Sequence, residues 1–327
     1  MAKNLFREDS MREPFFIVGA MRSGTTLLRL MLVGHPRLAI PPESHFLPAL
    51  LEFEDSSGQL AINRERVINW LISHQRLADF GLTTLWMRTT LSTLEPFTTS
   101  TIGYALFAEY ARREGKARWG DKTPRYRSFI PQLSRLFPEA KFIHVLRDGR
   151  DTALSAWRAQ FGPRTWPAAV HDWRVAIRDV RKGQRSISAE SFLEVRYEDL
   201  IANPQAVLTQ ICNFLNEEYD PKMLHFSDAA EREVPAWESA WHSKLQKPLD
   251  ANNTGKWKTE LTPEQLLFFE QVAAKELAAA GYARAKLHPS LLVRAKCIGM
   301  QSGYLLKSPL IKLKHSLTPR GAFERPV

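Results

Sequence analysis

Residues 14–32 read PFFIVGAMRSGTTLLRLML, and this stretch decides the fold. Its first part, residues 15–18, is a short apolar run with the length of a buried strand. Residues 19–24 carry the glycines of a turn, and leucines then recur at helical spacing from Thr25 as far as Gly34. The order strand, glycine loop, helix predicts an α/β fold.

A loop of this kind is suited to hold phosphate. Consecutive backbone N–H groups and the positive end of the new helix point to one place beyond the strand. Gly19 and Gly24 have the GxxxxG spacing of a phosphate-binding loop, but Thr25 and Thr26 follow where a Walker loop has Lys and then Ser or Thr. That lysine reaches the terminal phosphates in ATP and GTP enzymes, so its absence argues against their chemistry; Arg22 is the cation of this loop instead. The spacing alone is also compatible with a generic βα turn.

The longer run MRSGTTLLR at residues 21–29 resembles the 5′-phosphosulfate loop of sulfotransferases that use 3′-phosphoadenosine 5′-phosphosulfate (PAPS). It looks most similar to the tyrosylprotein and bacterial branches of that family. The resemblance implies a P-loop-like, doubly wound parallel sheet flanked by helices, with a helical insertion. It also implies that the donor is bound by the loop residues Arg22, Ser23, Gly24, Thr25 and Thr26.

The segment PPESHF at residues 41–46 follows the first helix and must cross the open end of the sheet, which places Glu43 and His45 near the loop. In the family that the chain resembles, a glutamate or histidine near the donor loop takes the proton from the acceptor hydroxyl. In the tyrosylprotein branch it is a glutamate after a similar segment. The resemblance makes Glu43 the first choice for the catalytic base and His45 the second. The alternative for Glu43 is a surface residue after two prolines.

Residues 118–126 read RWGDKTPRY, and their polar chemistry around a glycine and a proline predicts a loop before the next helix. Lys122 lies where the similar enzymes carry a lysine that contacts the transferring sulfuryl group and the leaving phosphate. The resemblance therefore gives Lys122, together with Arg22, a catalytic role in stabilising charge. A lone lysine in a loop is otherwise a solvated side chain.

The motif RDGRD at residues 147–151 follows the apolar run KFIHVL, which predicts a second buried strand. Arg147 at the end of this strand and Ser155 on the next helix resemble the 3′-phosphate site of the family. Arginine suits a terminal phosphate because its guanidinium donates two parallel hydrogen bonds. Arg150 and Asp151 are compatible with a charged, hydrated turn.

Two later motifs complete the resemblance. Residues 192–195 predict a third strand, and RYEDL at residues 196–200 is a frequent element of the family, in which Tyr197 is expected near the adenine. The motif TGKW at residues 254–257 resembles the glycine-lysine loop that folds back over the nucleotide. Lys256 is therefore a candidate contact to phosphate.

The pattern of helices and charges predicts three parts of the chain. Residues 1–13 form an N-terminal arm, and residues 14–283 form the sulfotransferase-like domain. Within it, residues 50–115 read as a helical insertion that roofs the crevice and builds the acceptor pocket. Residues 284–327 alternate apolar pairs with lysines and arginines and form a basic amphipathic tail.

The charge of the chain is concentrated near its end. The net charge is +10, but residues 281–320 hold eight Lys or Arg and no acid, and the remaining residues carry 37 bases against 35 acids. A nearly neutral body argues against nucleic acid as a partner. The tail favours peripheral contact with an anionic membrane; the alternative is a tail that packs on its own domain with a solvated basic face.

The two cysteines, Cys212 and Cys297, stand far apart, so neither a zinc site nor a disulfide framework is expected. The first 14 residues carry charges throughout and lack the apolar core that a secretory leader would have. No stretch of the sequence reaches the about 18 consecutive apolar residues of a membrane span. The expected location is cytoplasmic, peripheral at the membrane if the tail binds there. Association into a homo-oligomer stays open.

The sequence therefore predicts a PAPS-dependent sulfotransferase that transfers a sulfuryl group to an acceptor hydroxyl, without a metal ion. The acceptor stays open among small molecules, lipid-linked molecules, saccharides and peptides. The alternatives are a P-loop-like nucleotide kinase, and a nucleotide-binding module at a membrane that performs no transfer.

Overall fold

The computed structural model describes residues 13–56, 58–233, 235 and 249–303. Nearly all of the predicted N-terminal arm and the second half of the predicted tail lie outside the described residues. The arm, insertion and tail boundaries stay predictions. In the described part, no helix has the length and apolar character needed to cross a membrane.

The described residues form one parallel sheet of five strands. In chain order the strands are β1 Phe15–Gly19, β2 Leu38–Ala39, β3 Arg118–Lys122, β4 Lys141–Leu146 and β5 Phe192–Arg196. Their spatial order is β2-β3-β1-β4-β5, so β1 is the central strand. Ile17 of β1 pairs with both Lys122 and Ile143, which aligns the carboxyl ends of the three inner strands.

Helices cover both faces of the sheet. In chain order they are α1 Thr25–Val33, α2 Phe46–Leu51, α3 Arg64–Ser73, α4 Gln75–Ala78, α5 Thr84–Ser92, α6 Thr99–Arg113, α7 Ile130–Leu136, α8 Gly149–Trp157, α9 Trp166–Gln184, α10 Tyr197–Ala202, α11 Pro204–Phe214, α12 Phe226–Glu233, α13 Trp257–Glu260, α14 Pro263–Val272, α15 Ala274–Ala279 and α16 over residues 291–303. Short 3₁₀ turns occupy Pro124–Phe129, Ala189–Ser191, Pro221–Leu224 and Ala251–Asn253.

The side chains of β1 alternate between two cores because successive strand residues point to opposite faces. Phe16 and Val18 face the helices between β2 and β4, where they meet side chains of α2, α3, α5, α6 and α7. Phe15 and Ile17 face α1, α10 and α11. A third cluster joins α8, α9, α14 and α15. The predicted doubly wound α/β fold is confirmed.

The prediction of a loop at residues 118–126 is wrong for its first half, which forms strand β3. All five residues of β3 are buried despite their polar character. Trp119 stacks on Phe107 with ring centroids 4.7 Å apart, and backbone pairing to β1 and β2 satisfies the chain on both sides. Tertiary packing thus overrides the turn signals of the local sequence.

The sequence also suggests one final core helix that starts at Pro263 and ends at Ala280, whereas the structure divides this stretch into α14 and α15. The break falls at Ala273, which is fully buried and has φ −112°. Both short helices contribute buried side chains to the third cluster.

Gly120 of β3 makes room for the ring of Phe15. Ring atoms of Phe15 lie 2.5 Å from the position that a Cβ at residue 120 would occupy, and Phe15 is fully buried. We expect Gly120→Ala to lower the free energy of unfolding by about 1–3 kcal/mol, because the ring must move into a packed core. Denaturant unfolding measures this change. Gly299→Ala is the matched control, since nothing lies within 4 Å of its Cβ position; an equal loss in both variants would contradict the packing argument.

Candidate active site

The glycine loop joins the end of β1 to the start of α1. The amide of Ser23 donates to the carbonyl of Ala20 at 3.1 Å, and Arg22 adopts a positive φ of 68°. Gly24 has φ 102° and caps α1, and no side chain caps this end. The first amides of α1 therefore have no partner within the helix and point toward the space that the glycine loop encloses. The ring of Tyr197 lies where a side chain at Gly24 would be, so only glycine fits.

Two buried polar atoms beside this loop lack a hydrogen-bond partner among the described residues. They are Oγ of Ser23 and Nε of Arg147. Buried polar groups are normally paired, so each such atom requires an explanation. Both atoms are donors, and together with the first amides of α1 they form a donor set that suits an oxyanion. The site thus fits a phosphate or phosphosulfate group.

Two guanidinium groups meet at the loop. Arg147 donates to the carbonyl of Arg22 at 3.0 Å and to that of Asn253 at 2.6 Å, and its guanidinium carbon lies 4.4 Å from the ring centre of Tyr197. Nε of Arg22 lies 3.4 Å from Oγ of Ser155. Burial, and then the charge of Arg147, lower the pKa of Arg22. Two cations this close favour an anion between or beside them.

A third cation lies on the neighbouring strand. Lys122, at the end of β3, is buried; its Nζ lies 2.6 Å from Oε1 of Glu43 and 3.2 Å from Oγ1 of Thr26. The other carboxylate oxygen of Glu43 lies 2.8 Å from Nε2 of His45. Burial alone would raise the pKa of Glu43, but Lys122 and His45 together lower it well below its ordinary value. Glu43 is therefore ionised throughout the neutral range.

The segment that carries Glu43 and His45 is fixed by its middle residue. Ser44 is fully buried; its amide donates to Oγ1 of Thr123 at 3.1 Å and its hydroxyl lies 2.8 Å from that of Tyr126. The hydroxyl of Tyr126 also accepts the amide of Leu47 at 3.2 Å. His45 adopts a positive φ of 55°. Three hydrogen bonds between residues 44–47 and residues 123–126 thus fix the backbone on both sides of His45 and next to Glu43.

The interpretation of Arg150 and Asp151 as a hydrated turn is wrong, because both side chains are buried. The carboxylate of Asp151 accepts the amides of Gly255 at 2.6 Å and of Trp257 at 2.8 Å. The guanidinium carbon of Arg150 lies 3.7 Å from the ring centre of Trp257. RDGRD and TGKW are therefore bound to each other, and Lys256 lies between the two amides that Asp151 holds.

The structure brings most of the predicted site residues into one connected group. Contacts link the loop residues, Tyr197, Arg147, Ser155, Lys122, Glu43 and His45. Lys256 joins this group through the backbone of its neighbours.

Sequence reasoning missed the supporting residues Ser44, Tyr126, Asn253 and Asp151. The charge density of RDGRD is the signal that could have indicated Asp151. The other three have no signal that is visible in the chain alone.

A central strand that ends in a glycine loop, open helix amides and three convergent cations define the class of the protein. They are the features of a P-loop-like α/β protein that binds a phosphate-bearing ligand. The carboxylate beside these cations adds a group that can accept a proton.

Comparison with known proteins assigns the family. Residues 14–221 match the model of the sulfotransferase family, so the chain belongs to that family and is an enzyme of sulfuryl transfer.

Two relatives show how similar this chain is to known proteins in sequence. Protein-tyrosine sulfotransferase A of Caenorhabditis elegans is 26% identical over 279 residues, which cover 82% of this chain and 67% of the relative. The nodulation protein NoeE of Sinorhizobium fredii is 27% identical over 300 residues, with 84% of this chain and 67% of the relative covered. The chain thus spans about two thirds of the length of these relatives.

Two solved sulfotransferase domains share the fold of this chain. The sulfotransferase domain of the Synechococcus PCC 7002 olefin synthase has a TM-score of 0.58 and 28% identity, covering 81% of this chain and 96% of that domain. The sulfotransferase domain of the curacin biosynthetic pathway has a TM-score of 0.57 at 22% identity and covers 84% of this chain and 99% of its own. At that lower identity the second likeness supports the fold alone.

Asp121 supplies a test of how this buried site responds to pH. It precedes Lys122 in β3 and is fully buried. Burial raises its pKa to about 6, against the smaller opposing effect of the hydroxyls of Ser44 and Thr123. Because the unfolded value is about 3.9, the folded state binds more protons than the unfolded state between these values. The stabilising contribution of this proton is therefore present at low pH and is lost as pH rises through about 6.

We expect Asp121→Asn to remove this loss, since an amide does not ionise. The free energy of unfolding of the variant relative to the native chain should rise by about 2 kcal/mol between about pH 4.5 and about pH 7.5. Urea unfolding at several pH values measures the difference. Asp199→Asn changes an exposed carboxylate and is the control. A difference between Asp121→Asn and the native chain that is constant with pH would show that Asp121 is not protonated at the lower pH.

Proposed function

We propose that this sulfotransferase takes its sulfuryl group from PAPS and transfers it to a hydroxyl of the acceptor, releasing adenosine 3′,5′-bisphosphate. The observation that carries the proposal is the position of Lys122. Its Nζ contacts both Glu43 at 2.6 Å and Thr26 at 3.2 Å, so it joins a carboxylate to the phosphate loop. A proton acceptor beside an anion site is the arrangement that transfer to a hydroxyl needs.

We assign the two phosphate-bearing ends of PAPS to two groups of hydrogen-bond donors in the protein. The amides of the loop, with Ser23, Thr25 and Thr26, would hold the 5′-phosphosulfate. Arg147 and Ser155 would hold the 3′-phosphate, and Tyr197, whose ring packs on Gly24, would border the nucleoside. The donor supplies the sulfuryl group; Arg22 and Lys122 stabilise the charge that develops on its oxygens. Lys256 is a further candidate contact, because Asp151 fixes the loop around it.

Glu43 is the proposed base that receives the proton of the acceptor hydroxyl. The pairing with Lys122 makes its carboxylate a weak base, because that ion pair lowers its pKa. An anion bound at the loop competes with Glu43 for the same ammonium. When Lys122 turns to that anion, the pKa of Glu43 rises and the carboxylate becomes a stronger proton acceptor. His45, at 2.8 Å, keeps the second oxygen of Glu43 in place.

The donor assignment predicts tight binding of adenosine 3′,5′-bisphosphate that does not depend on metal. Isothermal titration calorimetry, with and without EDTA, measures it against ATP with magnesium. Arg147→Ala should weaken binding about 10–100-fold, because a guanidinium to phosphate pair contributes about 1.5–3 kcal/mol. Arg66→Ala removes an exposed arginine elsewhere and should bind as the native chain does. Preference for magnesium-ATP would refute the proposal and favour a nucleotide kinase.

The base assignment predicts that Glu43→Gln loses turnover and keeps donor binding. We expect kcat to fall about 10²–10⁴-fold, the usual contribution of a general base. The affinity for adenosine 3′,5′-bisphosphate should not fall, and a rise is expected, because a neutral side chain at residue 43 no longer competes with the phosphate for Lys122. Transfer from radiolabelled PAPS, to an acceptor found by screening phenols, sugars, lipids and peptides, measures kcat.

Two further variants complete that experiment. Glu52→Gln changes an exposed glutamate near the same segment and should keep full activity. His45→Ala should lose less than Glu43→Gln. The reverse order would move the role of base to His45. Binding of the donor product without transfer to any acceptor would support a module that performs no transfer.

A further inference from the structure

The last helix of the described residues, α16, carries apolar side chains on two opposite faces. Its inner face contacts the third core cluster through Val293, Cys297 and Met300, which are three and four positions apart. This spacing puts them on one side of a helix. The inner face therefore fixes α16 on the body of the protein, and its direction relative to α14 and α15 is set.

The outer face of α16 exposes large aliphatic side chains. Leu291 is 85% exposed, Leu292 66% and Ile298 61%, and Ala295 lies between them on the same side of the helix. Single exposed leucines are common, but three large aliphatic residues on one helix face form a contiguous apolar surface. Such a surface marks a contact with a partner, because its exposure to water is unfavourable.

Positive charge surrounds this surface. Arg294 and Lys296 are exposed on the same helix, and Lys286 precedes it. The ammonium of Lys296 lies 3.9 Å from a carboxylate oxygen of Glu264 on α14, and more than half of the Lys296 side chain stays exposed. Over residues 281–320 the chain has eight basic residues and no acid. An apolar face bordered by cations is complementary to a partner that is apolar within and negatively charged at its surface.

Two occupants from the protein itself are disfavoured by charge. A second copy of α16, related by twofold symmetry, would bring the same cations against these cations. The segment that follows, residues 304–327, has five Lys or Arg and one Glu, so it would meet α16 with charge of the same sign. The face is also a convex helix surface, which a planar lipid surface can contact without a shaped groove.

We propose that α16 binds an anionic membrane surface. Leu291, Leu292 and Ile298 enter the boundary between headgroups and acyl chains, while Arg294 and Lys296 contact the lipid phosphates. The surface belongs to a helix outside the loop and the carboxylate site, so the proposal stands independently of the donor and the acceptor.

Co-sedimentation of the full chain with vesicles tests the proposal, using phosphatidylcholine alone and with about 30% phosphatidylglycerol. We expect binding to the anionic vesicles that is at least about tenfold stronger and that weakens with salt. The combined variant Leu291→Gln, Leu292→Gln and Ile298→Gln should lose at least about tenfold in partitioning, because the apolar contact is removed. Its affinity for adenosine 3′,5′-bisphosphate should not change, which shows that the variant is folded.

Leu85→Gln is the matched control, because Leu85 is 77% exposed on α5, away from the basic segment. It should bind vesicles as the native chain does. Equal vesicle binding by the native chain and the combined variant would overturn the proposal. Light scattering covers the remaining outcome: a native dimer that the combined variant abolishes, without vesicle binding, would make this face a contact between copies and would also overturn it.

Discussion

The contact of Lys122 with Glu43 and Thr26 is the interaction on which the site depends. One ammonium group joins β3, the segment after β2 and the first turn of α1, which are far apart in sequence. The lysine is buried, and a buried charge is tolerated only when it is paired and hydrogen-bonded. Removal of Glu43 would leave that charge uncompensated. The three segments are therefore held together by electrostatics at the point where chemistry is expected, as well as by the apolar cores beneath.

Two residues of the site have strained backbones, and hydrogen bonds from neighbouring residues hold them in place. Arg22 and His45 both have positive φ, at 68° and 55°, in a region that residues with a side chain rarely adopt. Each such residue costs about 1–3 kcal/mol and persists only where its surroundings fix it. The carbonyl of Arg22 accepts from Arg147, and the residue before His45 is held by Thr123 and Tyr126. Strain thus falls on two residues of the proposed site itself.

The fold could be predicted from sequence where the pattern is local. The apolar run, glycine loop and leucine spacing of residues 15–33 specify β1 and α1, and the runs at β4 and β5 are equally direct. Strand β3 was not predicted, because its residues are mostly polar and are buried only by contacts with distant parts of the chain. The role of Asp151 was not predicted for the same reason, since its partners in TGKW lie 104 and 106 positions away in sequence. Local patterns indicate which residues carry charge; the topology decides which of these charges meet.

The shared lysine also gives the proposed mechanism an order. As long as Lys122 remains on Glu43, the carboxylate is a weak base, and the acceptor hydroxyl gains little from contact with it. Binding of an anion at the loop and the strength of the base are therefore coupled through one ammonium. Such coupling is reciprocal. A bound anion raises the basicity of Glu43, and protonation of Glu43 raises the affinity for the anion by the same factor, because it frees Lys122. Under this assignment the site is strongest as a base when the donor is in place, and proton abstraction without a donor is disfavoured by the same ion pair that builds the site.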